Sequence, residues 1–405
     1  MDTFAVNGQR LSYLLDLFGL TSKDFLEFVN SGKKRKLIDE ASFGEILAGS
    51  LRVNLAFLKK IDALFGKGLN WYLAERPAPK KENSIFFRKS RFASEITIET
   101  RKVTLGFEEK TAEIRKLCDN IGFKNELRLK KFSVEDSPED SAEEVLVELT
   151  KTREELGKAG LLERGSDERT YLKNFVKAIE KAGIFVLEYL EHPAKKERVS
   201  FDGLFIRPNF LVIKRQTYYS RELFTLAHEL GHCLLGEEEI ESVNEAEGTS
   251  DADAVENWCN RFSYRLLLGE HEKELNSIPP LSEENGEDFD LLVEEIRKKT
   301  HLSKSSLYVS LASKGKVSKR ALSQKLSEID ESVRRKEESD RRARAESNSL
   351  RIAEGKDVPF FPRKKIRSEL LKEIARINYF RGNLEEGELC QLLEIKSNEV
   401  GREIY

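Results

Sequence analysis

Two histidines four residues apart, with a glutamate beside the first, stand at His228-Glu229-Leu230-Gly231-His232. Residues i and i+4 lie one turn apart on one helix face. Two imidazoles so placed can reach a single metal ion at about 2.0–2.1 Å. Glu229 is set to serve a water beside such an ion rather than the ion itself. That is the division of labour in metal-assisted peptide hydrolysis, two histidines as ligands and a glutamate as general base. Histidine is scarce, five in 405 residues, so composition alone would place this pattern in only about 1% of such chains. Leu223, Leu226, Ala227, Leu230 and Leu234 make the flanking segment apolar and predict its burial. Buried imidazoles need partners: either a metal or a hydrogen-bonded core pair.

A hydrolytic metal site takes three protein ligands and keeps one position open. His192, His271 and His301 are available. Glu256 is the stronger candidate. It begins an apolar-periodic helix with Cys259, Phe262, Leu266 and Leu267, on the face of Cys259 and Asn260. A carboxylate turned inward there needs compensation, which a metal supplies. The expected centre is therefore Zn2+ held by His228, His232 and Glu256, with Glu229 as base. Asn260 is expected to orient a ligand or to bridge two helices. Tyr218, Tyr219 and His271 are candidate donors to a developing oxyanion. Cys233 faces away from the metal on a regular helix, and Cys259 reads as a small core residue.

The elements that must position these groups follow from periodicity. SAEEVLVELTKTREEL reads as a helix with a capping box at Ser141 and Glu144, and YLKNFVKAIEKAG as a second helix ending at Gly183. IFVLEYL is a strand, and GLFIRP and NFLVIKR form a hairpin about Pro208-Asn209. The motif helix comes next. Helix, helix, strand, hairpin, helix predicts an α+β core in which a small sheet backs a central helix. Before it, residues 1–79 read as a cluster of short helices, with Thr21 as an N-cap and Gly19 and Gly66 as stops. Residues 80–140 connect, with Ile85, Phe86 and Phe87 as an apolar strip and helical segments near 108–119 and 124–131. Residues 141–318 carry the expected catalytic core. Residues 319–405 read as a charged helix, with Arg334–Arg344 solvated, then a helical C-terminal unit.

Composition limits the function classes. With 39% hydrophobic and 35% charged residues the chain can build cores under a heavily charged surface, and its length suits two or three domains. Net charge is −3, which excludes a uniformly basic nucleic-acid coat. Residues 1–90 nevertheless hold fifteen Lys and Arg against ten Asp and Glu, concentrated at Lys33-Lys34-Arg35-Lys36. A helical unit with such a loop is expected to neutralise DNA phosphates or to contact protein. Beside the motif, residues 237–256 hold nine acids and no Lys or Arg. An acidic field of that kind attracts a basic substrate or serves solubility. Four scattered cysteines with no CxxC spacing predict neither disulfides nor a Cys-rich zinc knuckle. Together with the lack of a signal peptide or apolar span, they fit a cytoplasmic protein with no membrane contact.

Phe224-Thr225-Leu226-Ala227-His228-Glu229-Leu230-Gly231-His232 resembles the signature of the ImmA/IrrE metallopeptidases. Phe201-Asp202-Gly203, Arg221 and Glu256-xx-Cys-Asn-x-Phe extend the resemblance, which covers roughly 141–325. Cys259 and Ser263 stand where alanines are usual, and Leu268-Gly269 where Met-Pro is usual, without touching the proposed ligands. The resemblance implies a zincin-like fold and an N-terminal Cro-like helix-turn-helix domain. It further implies a zinc endopeptidase that cleaves a basic helix-turn-helix repressor or antitoxin in stress response, mobile-element control or phage defence. The alternative is a DNA-binding transcriptional regulator with a non-catalytic zinc domain.

Overall fold

The computed structural model describes residues 3–31, 38–78, 97–124, 126–154, 167–191, 198–238, 240–242, 250–282, 284–354 and 365–404. The chain divides into two compact units, residues 1–113 with 191–201, and residues 114–190 with 202–405. Among the described residues no helix is long and apolar enough to cross a membrane. Lys33–Lys36, the strip Ile85, Phe86 and Phe87, and the ligand candidate His192 lie outside the described residues.

The first unit is helical. A two-residue antiparallel pair, β1 (Thr3–Phe4) with β2 (Val53–Asn54), frames α1 (Gly8–Phe18), α2 (Ser22–Asn30), α3 (Glu40–Leu47), α4 (Leu55–Phe65) and α5 (Leu69–Leu73). The long α6 (Ile98–Asn120) follows, with residues 98–113 in the first unit and 114–120 in the second. Thr21 caps α2 as expected: its hydroxyl accepts the Asp24 N–H at 3.2 Å and the Asp24 carboxylate accepts the Thr21 N–H at 3.0 Å. This reciprocal pair satisfies two donors that the helix start leaves free. Phe25 is fully buried against Phe43, Phe57 and Phe65, with ring centroids 4.9–6.4 Å apart.

The second unit is α+β, as the element order predicts. It comprises α7 (Pro138–Glu154), α8 (Glu168–Lys181), β3 (Phe185–Tyr189), β4 (Phe201–Ile206), β5 (Phe210–Lys214), α9 (Tyr219–Leu235), β6 (Ile240–Ser242) and α10 (Ser250–Leu268). Then come α11 (Glu272–Ser277), α12 (Gly286–Thr300), α13 (Lys304–Ser313), α14 (Lys319–Ala353), α15 (Glu369–Phe380), α16 (Glu386–Leu393) and α17 (Val400–Ile404). The four-stranded sheet runs β3-β5-β4-β6. β3 and β5 pair in parallel, Phe185 opposite Phe210, while β4 and β5 form the expected antiparallel hairpin. The motif helix α9 buries Leu223, Leu226, Ala227, Leu230 and Leu234 in one core with β5, α8 and α10. At about 25 cal/mol per Å² of apolar area removed from water, this stripe is what fixes the helix on the sheet. α9 stops at Gly236, whose φ of 72° suits glycine best.

Two local expectations are corrected. α7 starts at Pro138, and the Ser137 hydroxyl accepts the Asp140 N–H at 3.3 Å, so the cap lies four residues before Ser141. Proline at the first helical position needs no donor there and fixes a helical φ, so it extends the helix backwards. Residues 126–131 are not helical. Their backbone is used across the core: Arg128 N–H donates to Ala182 O at 3.0 Å and Phe132 N–H to Leu234 O at 3.1 Å. α14 has no buried residue, in keeping with its reading as a solvated charged helix.

Candidate metal centre

α9 and α10 build the site by crossing at their smallest residues. A Cβ on Gly231 would fall 3.1 Å from Cys259 Sγ and 3.4 Å from Cys259 Cα. Glycine in the motif therefore lets α10 approach α9 closely. Cys259 is fully buried at that crossing, as its reading as a core residue requires. The approach brings Glu256, 24 residues beyond His232, onto the two histidines.

The donor atoms converge. His228 Nε2 and His232 Nε2 lie 3.0 Å apart. Glu256 Oε2 is 3.2 Å from His228 Nε2, and Oε1 is 3.2 Å from His232 Nε2. Among the described residues this is the one group of three whose ligand atoms all lie within 4.8 Å of one another. Ligand atoms held tetrahedrally at 2.0–2.1 Å from one ion would stand about 3.3 Å apart. The three separations match that spacing, and two imidazoles with one carboxylate suit a divalent metal of intermediate softness. His228 and His232 are 1% and 0% exposed, while the Glu256 side chain keeps 17%. Solvent access is thus on the Glu256 side. Burial alone would raise the Glu256 carboxyl, but the two imidazoles beside it outweigh burial and hold it well below the usual carboxylate range.

Glu229 is fully buried and packs against Gly203 of β4, where a Cβ would fall 2.6 Å from Glu229 Cγ. The start of α9 is tied to the same strand. Arg221 donates to the Asp202 carboxylate through Nε at 2.9 Å and also through Nη2. Gln216 Nε2 donates to the same carboxylate at 2.6 Å, and Gln216 N–H to Glu222 Oε1 at 2.9 Å. Tyr218, the N-cap residue, supplies no side-chain cap, and the two carboxylates instead tie the helix start to β4 and to the backbone of Gln216.

α10 is held by α7, which the sequence reading did not connect to the site. Trp258 Nε1 donates to Asp136 O at 2.8 Å, Arg261 forks onto Glu139 at 2.8 and 2.9 Å, and Arg265 pairs with Glu143. The spacing 258, 261, 265 was a legible signal: one helical stripe facing the acids at the start of α7.

The remaining candidates separate. Asn260 is exposed, so it orients no ligand. Tyr218 donates to Glu337 Oε1 at 3.4 Å, ten residues ahead of His228 on its helix. His271 pairs with Glu274 at 3.0 Å, and the His301 ring lies tilted by 40° against Tyr171 with centroids 4.6 Å apart. Neither histidine is in the converging ligand group. Cys233 is buried next to His232, and burial pushes its thiol up to about 12, which removes it as a nucleophile at neutral pH. In the first unit, α3 exposes Asp39 at its cap with Glu40 and Glu45, and carries no Lys or Arg. A phosphate backbone repels such a face.

Residues 179–276 match the family model of the IrrE N-terminal-like domain, Peptidase_M78. The matched span runs from the end of α8 through the sheet, α9 and α10 into α11, so it contains His228, Glu229, His232 and Glu256. The match supports metallopeptidase activity in this part of the chain. No curated protein matches the chain.

Proposed function

We propose that the chain is a zinc-dependent endopeptidase that cleaves a basic helix-turn-helix repressor or antitoxin. The observation that carries this reading is the convergence of His228, His232 and Glu256 at 3.0–3.2 Å, inside a span that matches a peptidase family. These three residues would hold Zn2+, which when bound supplies Lewis-acid polarisation and activation of water. Glu229 takes the proton of the attacking water and delivers it to the leaving amide nitrogen. Of the four site residues only Glu256 keeps solvent exposure, 17% of its side chain, so a peptide is proposed to approach on that side.

The regulatory reading rests on charge and organisation. The acidic stretches flanking the site favour a basic protein partner. The helical unit in residues 1–79 is proposed to recruit that partner, since the acids on α3 suit a basic protein better than DNA. DNA contact would fall to Lys33–Lys36 and to scattered exposed cations such as Lys23, Arg52 and Lys59. The test compares new protein N-termini in cells expressing the wild type or Glu229→Gln. A cut in a basic DNA-binding protein seen with the wild type alone supports the proposal. The same cut with Glu229→Gln, or no wild-type-dependent cut, contradicts it.

A further inference from the structure

Gly203 is the residue of the sheet whose lack of a side chain the geometry demands most strongly. It lies mid-strand in β4, opposite Ile213 of β5 and flanked by the buried Phe201 and Phe205. A Cβ there would meet Glu229 Oε1, fall 2.6 Å from Glu229 Cγ and fall 2.6 Å from Thr225 Cγ2. These are far inside van der Waals contact, and one of the atoms is the stem of the side chain, not its flexible end. Backbone, not a side chain, is therefore the wall against which Glu229 rests. Thr225 and Glu229 belong to one stripe of α9 with Arg221, at i, i+4 and i+8. Arg221 in turn is held by Asp202, the residue before Gly203. One two-residue step of β4 thus touches α9 at both ends of this stripe.

We propose that Asp202-Gly203 is a positioning element for Glu229. Asp202 fixes the first turn of α9 through Arg221 and Gln216, and Gly203 leaves the volume that the Glu229 side chain fills. With two points fixed, α9 can neither turn about its axis nor slide along the strand, so the Glu229 carboxylate keeps one orientation next to His228. Asp202 is not in the converging ligand group and Gly203 has no side chain to offer a metal, so the role is positioning and not ligation. The proposal rests on the assignment of Glu229 as the base and adds what orients it.

The test uses the full chain and needs no substrate. Gly203→Ala is expected to lower the melting temperature by several degrees in the wild-type background. It should cost much less when Glu229→Ala has already removed the clashing atoms, with Thr225→Ala relieving only part of the loss. Equal cost in both backgrounds overturns the proposal. Where Gly203→Ala does not fold alone, recovery of a folded Gly203→Ala/Glu229→Ala chain gives the same answer. The second readout is the visible spectrum of the Co2+-loaded protein. Gly203→Ala should keep the metal stoichiometry and reproduce the spectral change caused by Glu229→Gln, while Thr225→Ala should not. A Gly203→Ala spectrum identical to wild type, beside a changed Glu229→Gln spectrum, contradicts the positioning role. Stability coupling with no spectral effect of Glu229→Gln would instead strike the base assignment and leave the contact standing.

Discussion

Glu180 offers a quantitative test of how the C-terminal helices are attached. It closes the last turn of α8 and is 5% exposed. Its Oε2 accepts the N–H groups of Glu369 at 2.8 Å and Leu370 at 3.4 Å, at the start of α15. Burial pushes the carboxyl up from 4.5 to about 7, against the pull of Ser368 and these two donors. A raised value in the folded state means that the folded chain holds this proton more tightly than the unfolded chain. The associated stability is fully present below about 4.5 and is lost as pH rises through about 7. At ~1.4 kcal/mol per pH unit, the loss at this one residue comes to about 3 kcal/mol. Glu180→Gln keeps the shape and an acceptor but cannot ionise. Urea unfolding of both proteins at pH 5, 6, 7 and 8 isolates the residue, since other titrating groups cancel in the difference. Relative to wild type the variant should gain about 2.5 kcal/mol between pH 5 and pH 8, most of it below pH 7. A difference that does not change with pH would refute the reasoning, because the carboxyl would then titrate alike in both states.

Further consequences are open to measurement. Glu256→Gln removes the anionic ligand, so the chain should fold but lose its metal on dialysis against a mild chelator; retained metal would exclude Glu256 from the centre. Trp258→Phe deletes the donor to Asp136 O and should cost ~0.5–1.5 kcal/mol, read by urea unfolding. Thiol labelling of the native chain should modify Cys390 first, because Cys118, Cys233 and Cys259 are buried and burial pushes Cys118 up to about 11 and Cys233 to about 12. Fast labelling of all four without denaturant would contradict the packing around α9 and α10.

The parts of the site that were legible in the sequence are those written in one helix. The i, i+4 spacing of His228 and His232 places both imidazoles on one face whatever the rest of the chain does. The apolar stripe of α9 likewise announced its own burial. Glu256 was legible only as a carboxylate at the edge of an apolar helix. Its distance from the histidines depends on how closely α10 approaches, which Gly231 and Cys259 decide in three dimensions. Asn260 shows the limit of that reasoning. At 100° per residue it stands about 40° beyond Glu256, away from the buried stripe of Trp258, Cys259, Phe262 and Leu266. The edge of the core falls between the two. Local patterns could not foresee the parallel pairing of β3 with β5, nor β6, three residues long within an acidic stretch. Strand partners are set by contacts distant in sequence, and a three-residue strand carries no period of its own. The role of Asp202-Gly203 was hidden for the same reason, since a glycine in a strand states only that something comes close.

The most direct test of the central claim is the metal content of the purified full-length chain, measured beside a His228→Ala/His232→Ala double variant. The account predicts one zinc per wild-type chain and none in the variant, with both proteins folded. A wild-type chain that carries no metal, and takes up none when zinc is added, would contradict it.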